Sequence, residues 1–338
     1  MRNKLAVVIL NWNGRQFLEK FLPRLLNSCP DYAEVVVADN ASEDQSVEFL
    51  QTHYPQIRLI RNSSNGGFSK GYNKALRQIE ADYYCLLNSD IEVGECWIEP
   101  IIELLDVQKN IAIVQPKLRS FCEPKKFEYA GASGGFLDRY GYPFCRGRLF
   151  GVIEEDHAQY DEVMDVFWAT GAAMFVRSEL YHELGGLDED FFAHMEEIDF
   201  CWRVKNRGYR VAVVPQSEVY HVGGGTLPKN NAFKTFLNFR NNLFLLVKNL
   251  PKNRLFTTLF LRFFMDILAA FLFLFQGHGR DFTAVIKAQY AFWKGYRKMK
   301  TKRDNRYMTA FADIYPHSIV WGYYIAGKRY FNGKKLIK

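Results

Sequence analysis

The chain has 338 residues, 48% of them hydrophobic and 24% charged, a globular balance that excludes a disordered or collagen-like protein. Its six cysteines (Cys29, Cys85, Cys96, Cys122, Cys145, Cys201) form no CxxC pair, which argues against a disulfide framework or a structural zinc site and fits a reducing compartment. The net charge of +7 hides a split: residues 231–338 hold 20 Lys and Arg against four Asp, while the first 230 hold 24 against 33 acids, so an acidic body carries a basic tail.

The opening MRNKLAVVILNWNG has an apolar run too short, and too soon broken by Asn11, Trp12 and Asn13, for a signal peptide, so a cytoplasmic location is expected. Short β-branched runs then alternate with amphipathic segments. Leu5–Leu10, Glu34–Ala38, Ile57–Ile60, Tyr83–Leu87 and Ile111–Val114 read as buried strands; Gln16–Asn27, Glu43–His53, Gly67–Glu80 and Trp97–Gln108 read as helices. Such alternation predicts an α/β fold: a Rossmann-like, mainly parallel sheet covered by helices on both faces. Ligands of such sheets sit at the carboxyl ends of the strands, which gathers Asn11–Gly14, Asp39–Ser42, Asn62–Gly67 and Asn88–Asp90 on one rim.

After Gln115 the alternation breaks into Gly- and aromatic-rich loops over 116–165. Val166–Val176 returns as a strand-like run, followed by a helix from Ser178 and the turn Gly185-Gly186. Next comes Phe191–Arg203, FFAHMEEIDFCWR. As a helix it places Glu196, Asp199 and Arg203 on one face, with Glu197 elsewhere. Acids this close repel, so one needs a cation, a metal or a shared proton; a solvated helix start with a surface ion pair is the plain alternative. The strand Arg210–Val214 leads to His221 and Gly223–Gly225.

From Asn231 the character changes. Leu255–Phe275 is apolar over roughly the ~20 residues that span a bilayer, yet Thr258, Arg262 and Asp266 put a polar stripe along one helical face. Arg262 and Asp266 could pair at i, i+4, but an interfacial helix lying in the headgroup layer explains the polar stripe and flanking cations better than a spanning one. Lys294–Arg306 and Lys328–Lys338 add cations among aromatics. Nucleic acid is the lesser candidate partner, because the apolar run has no use there; an anionic membrane surface ranks first. The expected organisation is an acidic α/β domain over 1–230, which the resemblance described below makes the catalytic one, and a helical, basic membrane-association region over 231–338.

Several rim residues carry candidate chemistry. Asn88 and Asp90 end a buried strand, where a carboxylate holds Mg2+ or Mn2+ on two phosphates, or merely caps a turn. Asp39 follows another strand and accepts from a base N–H or a ribose hydroxyl, or again shapes a turn. In Gly66–Asn73, opened by Asn65, glycines let backbone approach a ligand, although neither GxGxxG nor a P-loop is matched. His221 is a lone histidine, able to join Asp90 as a ligand.

These pieces, in order, resemble the inverting glycosyltransferase family 2 with its GT-A fold, and within it rhamnosyltransferase-like members. The resemblance rests on VVILNWNG, VVADNASEDQS, RNSSNGGFSKGYN, LLNSDIEV, the run ATGAAMF to RGYRV, and VYHVGG, over roughly residues 4–225. It implies that Asn11, Asp39, Asn65, Gly67, Asn73, Asn88 and Arg203 serve the nucleotide sugar, with Asp39 on the base and Asn88 opening the DxD-type motif. Asp90 and His221 would hold the divalent metal. Glu196-Glu197 stands where the family has Glu-Asp, which makes Glu197 the base, one methylene longer than the family's Asp, with Glu196 and Asp199 in support. The implied reaction moves a sugar, a rhamnose-type deoxysugar among the candidates, from a dTDP-, UDP- or GDP-sugar to a saccharide acceptor. A polyprenyl-diphosphate-linked acceptor at the inner membrane face, used in cell-surface polysaccharide synthesis, would suit the basic tail. A non-catalytic nucleotide-sugar-binding module that recruits partners to the membrane is the competing class. A nucleotidyltransferase fits poorly, since NWNGRQF is no phosphate loop.

Overall fold

The computed structural model describes residues 3–223, 231–304 and 310–338. Its first part follows the alternation: β1 (Asn3–Asn11), α1 (Arg15–Asn27), β2 (Ala33–Asp39), α2 (Ser46–His53), β3 (Arg58–Arg61), α3 (Gly67–Leu76), β4 (Ala81–Asn88), β5 (Ile91–Val93), α4 (Glu99–Val107) and β6 (Ile111–Ser120). Successive residues of β1 feed opposite cores. Leu5, Val7 and Ile9 pack with α1, α2 and α4, and Ala6 and Val8 pack with α3. A strand buried on both faces has no polar alternation, which explains the unbroken apolar runs.

Residues 121–163 contribute a small four-stranded sheet of β7 (Gly135–Leu137), β8 (Pro143–Cys145), β9 (Arg148–Leu149) and β10 (Val152–Ile153). The main sheet resumes with β11 (Met164–Val166) and β12 (Ala173–Arg177), passes through α5 (Ser178–Glu183) and α6 (Glu196–Asn206), and ends with β13 (Arg210–His221). Its order is β11-β13-β6-β12-β4-β1-β2-β3. The sheet is mixed rather than mainly parallel: β1, β2, β3, β4, β6 and β13 run one way, but β12 lies antiparallel between β4 and β6, and β11 and β5 run antiparallel to β13. The run expected as one strand over 166–176 is split. At its middle the Thr170 amide donates to Gln115 Oε1 (2.9 Å) and the Ala172 amide to Thr170 Oγ1 (3.2 Å), so side chains replace the ladder there.

The C-terminal part holds α7 (Ala232–Asn249), α8 (Lys252–Phe275), α9 (Gly279–Thr301), α10 (Ile319–Tyr324) and a hairpin of β14 (Tyr330–Phe331) and β15 (Leu336–Ile337). It does not stand apart. Leu243–Val247 of α7, with Phe292 and Met299 of α9, share a core with Ile198, Phe200 and Trp202 of α6.

The polar stripe of α8 faces the other way from expectation. Thr258, Arg262 and Asp266 point into the protein, while Phe256, Phe260, Phe264, Leu268 and Phe275 are exposed. Arg262 explains the inversion. It pairs with Asp266 (3.2 Å), donates to Tyr140 O (3.0 Å) and to Asn242, and lies 4.0 Å over the Tyr142 ring. Asp266 also accepts from Tyr142 (3.1 Å) and Gln289 (3.0 Å). A buried ion pair saturated in this way is tolerated, so the apolar side is left facing outward.

Candidate active site

Register aligns the rim. Asn11 of β1 pairs with Asp39 of β2, Leu10 with Asn88 of β4, and Asp39 with Arg61 of β3. The buried Asn11 donates to Asp39 Oδ1 (3.2 Å) and Ser42 Oγ (3.1 Å), and Asp39 Oδ2 accepts from the Ser42 amide (3.0 Å). The Asp39 turn role is therefore real, but Asn11 Oδ1 is buried without a partner among the described residues. An orphan acceptor beside a carboxylate is a place for a ligand N–H.

Below β4, Asp90, His221 and Glu128 form a row. His221 Nε2 stands 3.2 Å from Asp90 Oδ1, and Nδ1 stands 3.3 Å from Glu128 Oε1. Burial disfavours a charged imidazole, but the two carboxylates outweigh it and raise His221 to about 10. Burial likewise pushes Glu128 up, and His221 overrides it, holding Glu128 below its ordinary value. Glu128 lies in the aromatic and glycine-rich loop segment and carries no motif signal, so sequence reasoning missed it.

The spacing of Asp90 and His221 is compatible with both holding one divalent ion. Two adjacent ligands at about 2.1 Å on an octahedral ion stand about 3 Å apart, and Asp90 Oδ1 and His221 Nε2 are 3.2 Å apart. Glu128, on the far nitrogen, would set the imidazole tautomer. Among the described residues no three His, Cys, Asp or Glu side chains converge as a metal cage. An ion here would complete its shell with phosphate oxygens and water, as hard cations on one or two carboxylates do.

Helix α6 presents the acidic pair. It is preceded by three non-glycine residues in the left-handed region, Phe192 (φ 66°), His194 (φ 68°) and Met195 (φ 73°). Such backbone persists only when its surroundings over-determine it. Asn241 of α7 does so, donating to Phe191 O (2.9 Å), Ala193 O (2.8 Å) and His194 O (2.8 Å), while the Phe68 amide takes Phe192 O (2.7 Å). Glu196 is buried and Glu197 half-buried, and one carboxylate oxygen of each, Oε2, is without a partner among the described residues. Burial lifts both. Glu197, partly offset by backbone N–H bonds, rises to about 7; Glu196, with Glu197 and Asp199 adding repulsion, rises well above the carboxylate range. Glu197 lines a cavity of about 1280 Å³. A base poised near neutral pH at a cavity wall is suited to proton abstraction.

Other expected site residues are occupied otherwise. Asn65 Oδ1 accepts from the Gly67 amide (2.9 Å) and Asn40 (2.8 Å), which starts α3. Gly67 (φ +82°) has Phe192 against it, since a Cβ would meet its ring and carbonyl oxygen at 2.5 Å; the close approach is the chain's own, not a ligand's. Asn73 is saturated by Tyr181, Glu189 and both backbone groups of Leu187. Arg203 donates to Asp199 (2.9 Å), Leu184 O (2.8 Å) and Gly186 O (2.7 Å), which ties it to α6 and the turn before it. Asp199 is wholly buried on Arg203, Lys248 (2.8 Å) and Asn249 (2.9 Å); it anchors α6 rather than facing the cavity. Asn88, half-exposed at the end of β4, remains on the rim through its amide bond to Ala172 O (2.9 Å). Of the glycines after His221, Gly224 and Gly225 lie outside the described residues.

The profile of Glycosyl transferase family 2 matches residues 6–158. Over that span the chain is similar to glycosyltransferase family 2. It is 24% identical over 239 residues to the N-acetylglucosaminyl-diphospho-decaprenol L-rhamnosyltransferase of Mycobacterium tuberculosis, covering 65% of this chain and 76% of that one. It is 25% identical over 232 residues to the rhamnosyltransferase WbbL of Escherichia coli K12, covering 64% and 82%. Among solved structures, the mannosyltransferase PcManGT from Pyrobaculum calidifontis, in complex with GDP-Man and Mn2+, superposes with a TM-score of 0.52 at 15% identity, over 92% of this chain and 86% of that one. At that identity the likeness shows the GT-A fold. The family match ends before β11, so α6 and β13, which bear Glu197 and His221, lie beyond it.

Proposed function

We propose that this glycosyltransferase transfers a sugar with inversion from a nucleoside diphosphate sugar to a hydroxyl of a lipid-linked saccharide at the cytoplasmic membrane face. The observation that carries this is Glu197: a carboxylate lifted to about 7, with an unpartnered oxygen, at the wall of a large cavity. Asn11 and Asp39 supply acceptors for the base or ribose, and Asp90 with His221 would hold Mg2+ or Mn2+. A bound ion there supplies neutralising charge for the leaving diphosphate.

Glu197 takes the proton of the acceptor hydroxyl. That oxygen forms a bond to the anomeric carbon as the bond from this carbon to the diphosphate oxygen breaks, and its electron pair leaves with the nucleoside diphosphate. Glu196, kept protonated by burial and by its neighbour, confines the negative charge of the pair to Glu197. The Pyrobaculum mannosyltransferase of the same fold is in complex with GDP-Man and Mn2+, in keeping with a nucleoside diphosphate sugar donor, and the lipid-linked acceptor is supported by the decaprenol-linked substrate in the mycobacterial relative's name.

Membrane association is supported by α8, which is long and apolar enough to cross a bilayer and exposes Phe256 (79%) and Phe275 (82%). Because its inner face is bonded to the catalytic body, we read it as lying in one leaflet. The basic run contributes less than its length implies: Lys298 and Lys302 pair with Asp188 and Asp190, while Lys294, Arg297 and Lys300 face outward, and Arg306 lies outside the described residues. Incubation with dTDP-rhamnose, UDP- and GDP-sugars should release nucleoside diphosphate from one donor class, and chelation should stop it. Binding without turnover, for every donor and with a lipid-linked acceptor present, would favour the recruitment module instead.

A further inference from the structure

The rim and the row of Asp90, His221 and Glu128 account for a donor, but they leave most of the cavity beyond Glu197 without an occupant. At about 1280 Å³ it exceeds the ordinary range of small-molecule pockets, ~300–1,000 Å³. Glu197 and Trp168 line one part. Leu268 of α8, with Trp321 and Ile325 near α10, lines another. These last three are 62%, 65% and 64% exposed, so the cavity opens on the same outward apolar face that α8 presents. Its charge is one-sided, since Glu197 is the one carboxylate residue among its described lining, against several cations.

One of those cations stands out. Arg148 is 9% exposed, donates to Tyr129 O (2.9 Å), lies 4.3 Å over the Tyr129 ring, and forms no ion pair among the described residues. The nearby carboxylate, Glu128, is engaged by His221. A buried guanidinium without a paired carboxylate is costly unless an anion joins it. Arg139, exposed on the same lining, pairs with no carboxylate among the described residues either.

We infer that the cavity is the seat of an isoprenoid diphosphate belonging to the acceptor: the diphosphate on Arg148 and Arg139, the chain leaving between α8 and α10 into the bilayer. This rests on the glycosyltransferase reading and adds to it a place, a headgroup contact and an exit for the lipid. An anionic headgroup explains the cations, and a hydrocarbon chain explains an apolar mouth with no polar partners. Free phosphate accounts for the first alone. The sugar on the diphosphate would then extend toward Glu197.

The test uses the full chain and three probes: farnesyl diphosphate, inorganic pyrophosphate and a panel of nucleoside diphosphates, titrated calorimetrically with Mn2+ present. Farnesyl diphosphate should bind at least about tenfold tighter than pyrophosphate, the gain expected from burying roughly two methylenes. Ala269→Trp, which fills the cavity wall, and Ile325→Asp, on the exposed mouth, should each erase that gain while leaving pyrophosphate and nucleoside diphosphate affinities unchanged. Arg148→Gln should weaken farnesyl diphosphate and pyrophosphate together. Equal affinity for the two anions, or Ile325→Asp and Ala269→Trp both binding farnesyl diphosphate like the wild type, would overturn the proposal. If nucleoside diphosphates bind and farnesyl diphosphate does not, the cavity assignment fails and the glycosyltransferase reading stands. If farnesyl diphosphate binds as described and no nucleoside diphosphate does, the lipid site stands and the donor reading fails.

Discussion

Lys248 reaches from α7 into the interior and meets Asp199 at 2.8 Å and Asp188 at 2.5 Å, with all three side chains buried. Lys248→Met keeps the stem and removes the charge. Breaking a buried pair costs about 3–5 kcal/mol. Here Arg203 remains on Asp199 and Lys302 on Asp188, so we expect the lower end, about 3 kcal/mol. The pair of Arg210 and Asp165, with side chains 39% and 49% exposed, supplies the contrast: Arg210→Ala should cost less than about 1 kcal/mol. Burial pushes Asp188 and Asp199 up, but Lys248 and its partner cations outweigh it and hold both below the ordinary range. Their stabilising contribution is therefore present above the unfolded carboxylate value, about 3.9, and is lost as pH falls through the lower folded values. The Lys248→Met deficit should be full at pH 7 and shrink in acid below about pH 4. Denaturant unfolding of both variants across that range is the assay. A deficit at pH 7 no larger than that of Arg210→Ala, or one unchanged in acid, would refute the view that this network fixes α6 under the acidic pair.

Two further outcomes follow from the same reasoning. Glu128→Gln should weaken Mn2+ support of nucleoside diphosphate binding by about 10–100-fold, as loss of a partner behind a metal-binding histidine does; an unchanged Mn2+ titration would remove its orienting role. Arg262→Met should destabilise by about 3–5 kcal/mol, while Arg262→Met with Asp266→Leu should recover most of that, because no buried charge is left alone. A double variant as unstable as the single would show that lost packing, not the stranded Asp266, sets the cost.

The first four strands and helices were legible because β1, β2 and β4 are buried on both faces and read as unbroken apolar runs, while the edge strand β3, with Ile60 alone buried, is marked by its place in the alternation. The rim was legible for the same reason. Asn11, Asp39 and Asn88 end strands whose register the structure aligns. The antiparallel insertion of β12 was not, because it depends on β4 and β6, which lie far away in sequence. In FFAHMEEIDFCWR, spacing correctly separated Glu197 from the face of Asp199 and Arg203. It could not show that Lys248 completes that face 49 residues later. Periodicity also placed Thr258, Arg262 and Asp266 on one stripe but carries no sign, and the stripe points inward because Tyr142, Asn242 and Gln289 wait there. Glu128 and Arg148 gave no signal at all, since lone charges in a glycine-rich loop acquire meaning only from what folds against them.

The central claim is that Glu197 accepts the proton in transfer. The most direct measurement is kcat against pH for the wild type and Glu197→Gln, with nucleoside diphosphate affinity measured alongside. The wild-type rate should rise as pH passes through about 7 and then level, since burial has lifted this base to that value. Glu197→Gln should fall by about 10²–10⁴-fold and lose that rise, with nucleoside diphosphate still bound. A variant that turns over at the wild-type rate, with the same pH profile, would contradict the account.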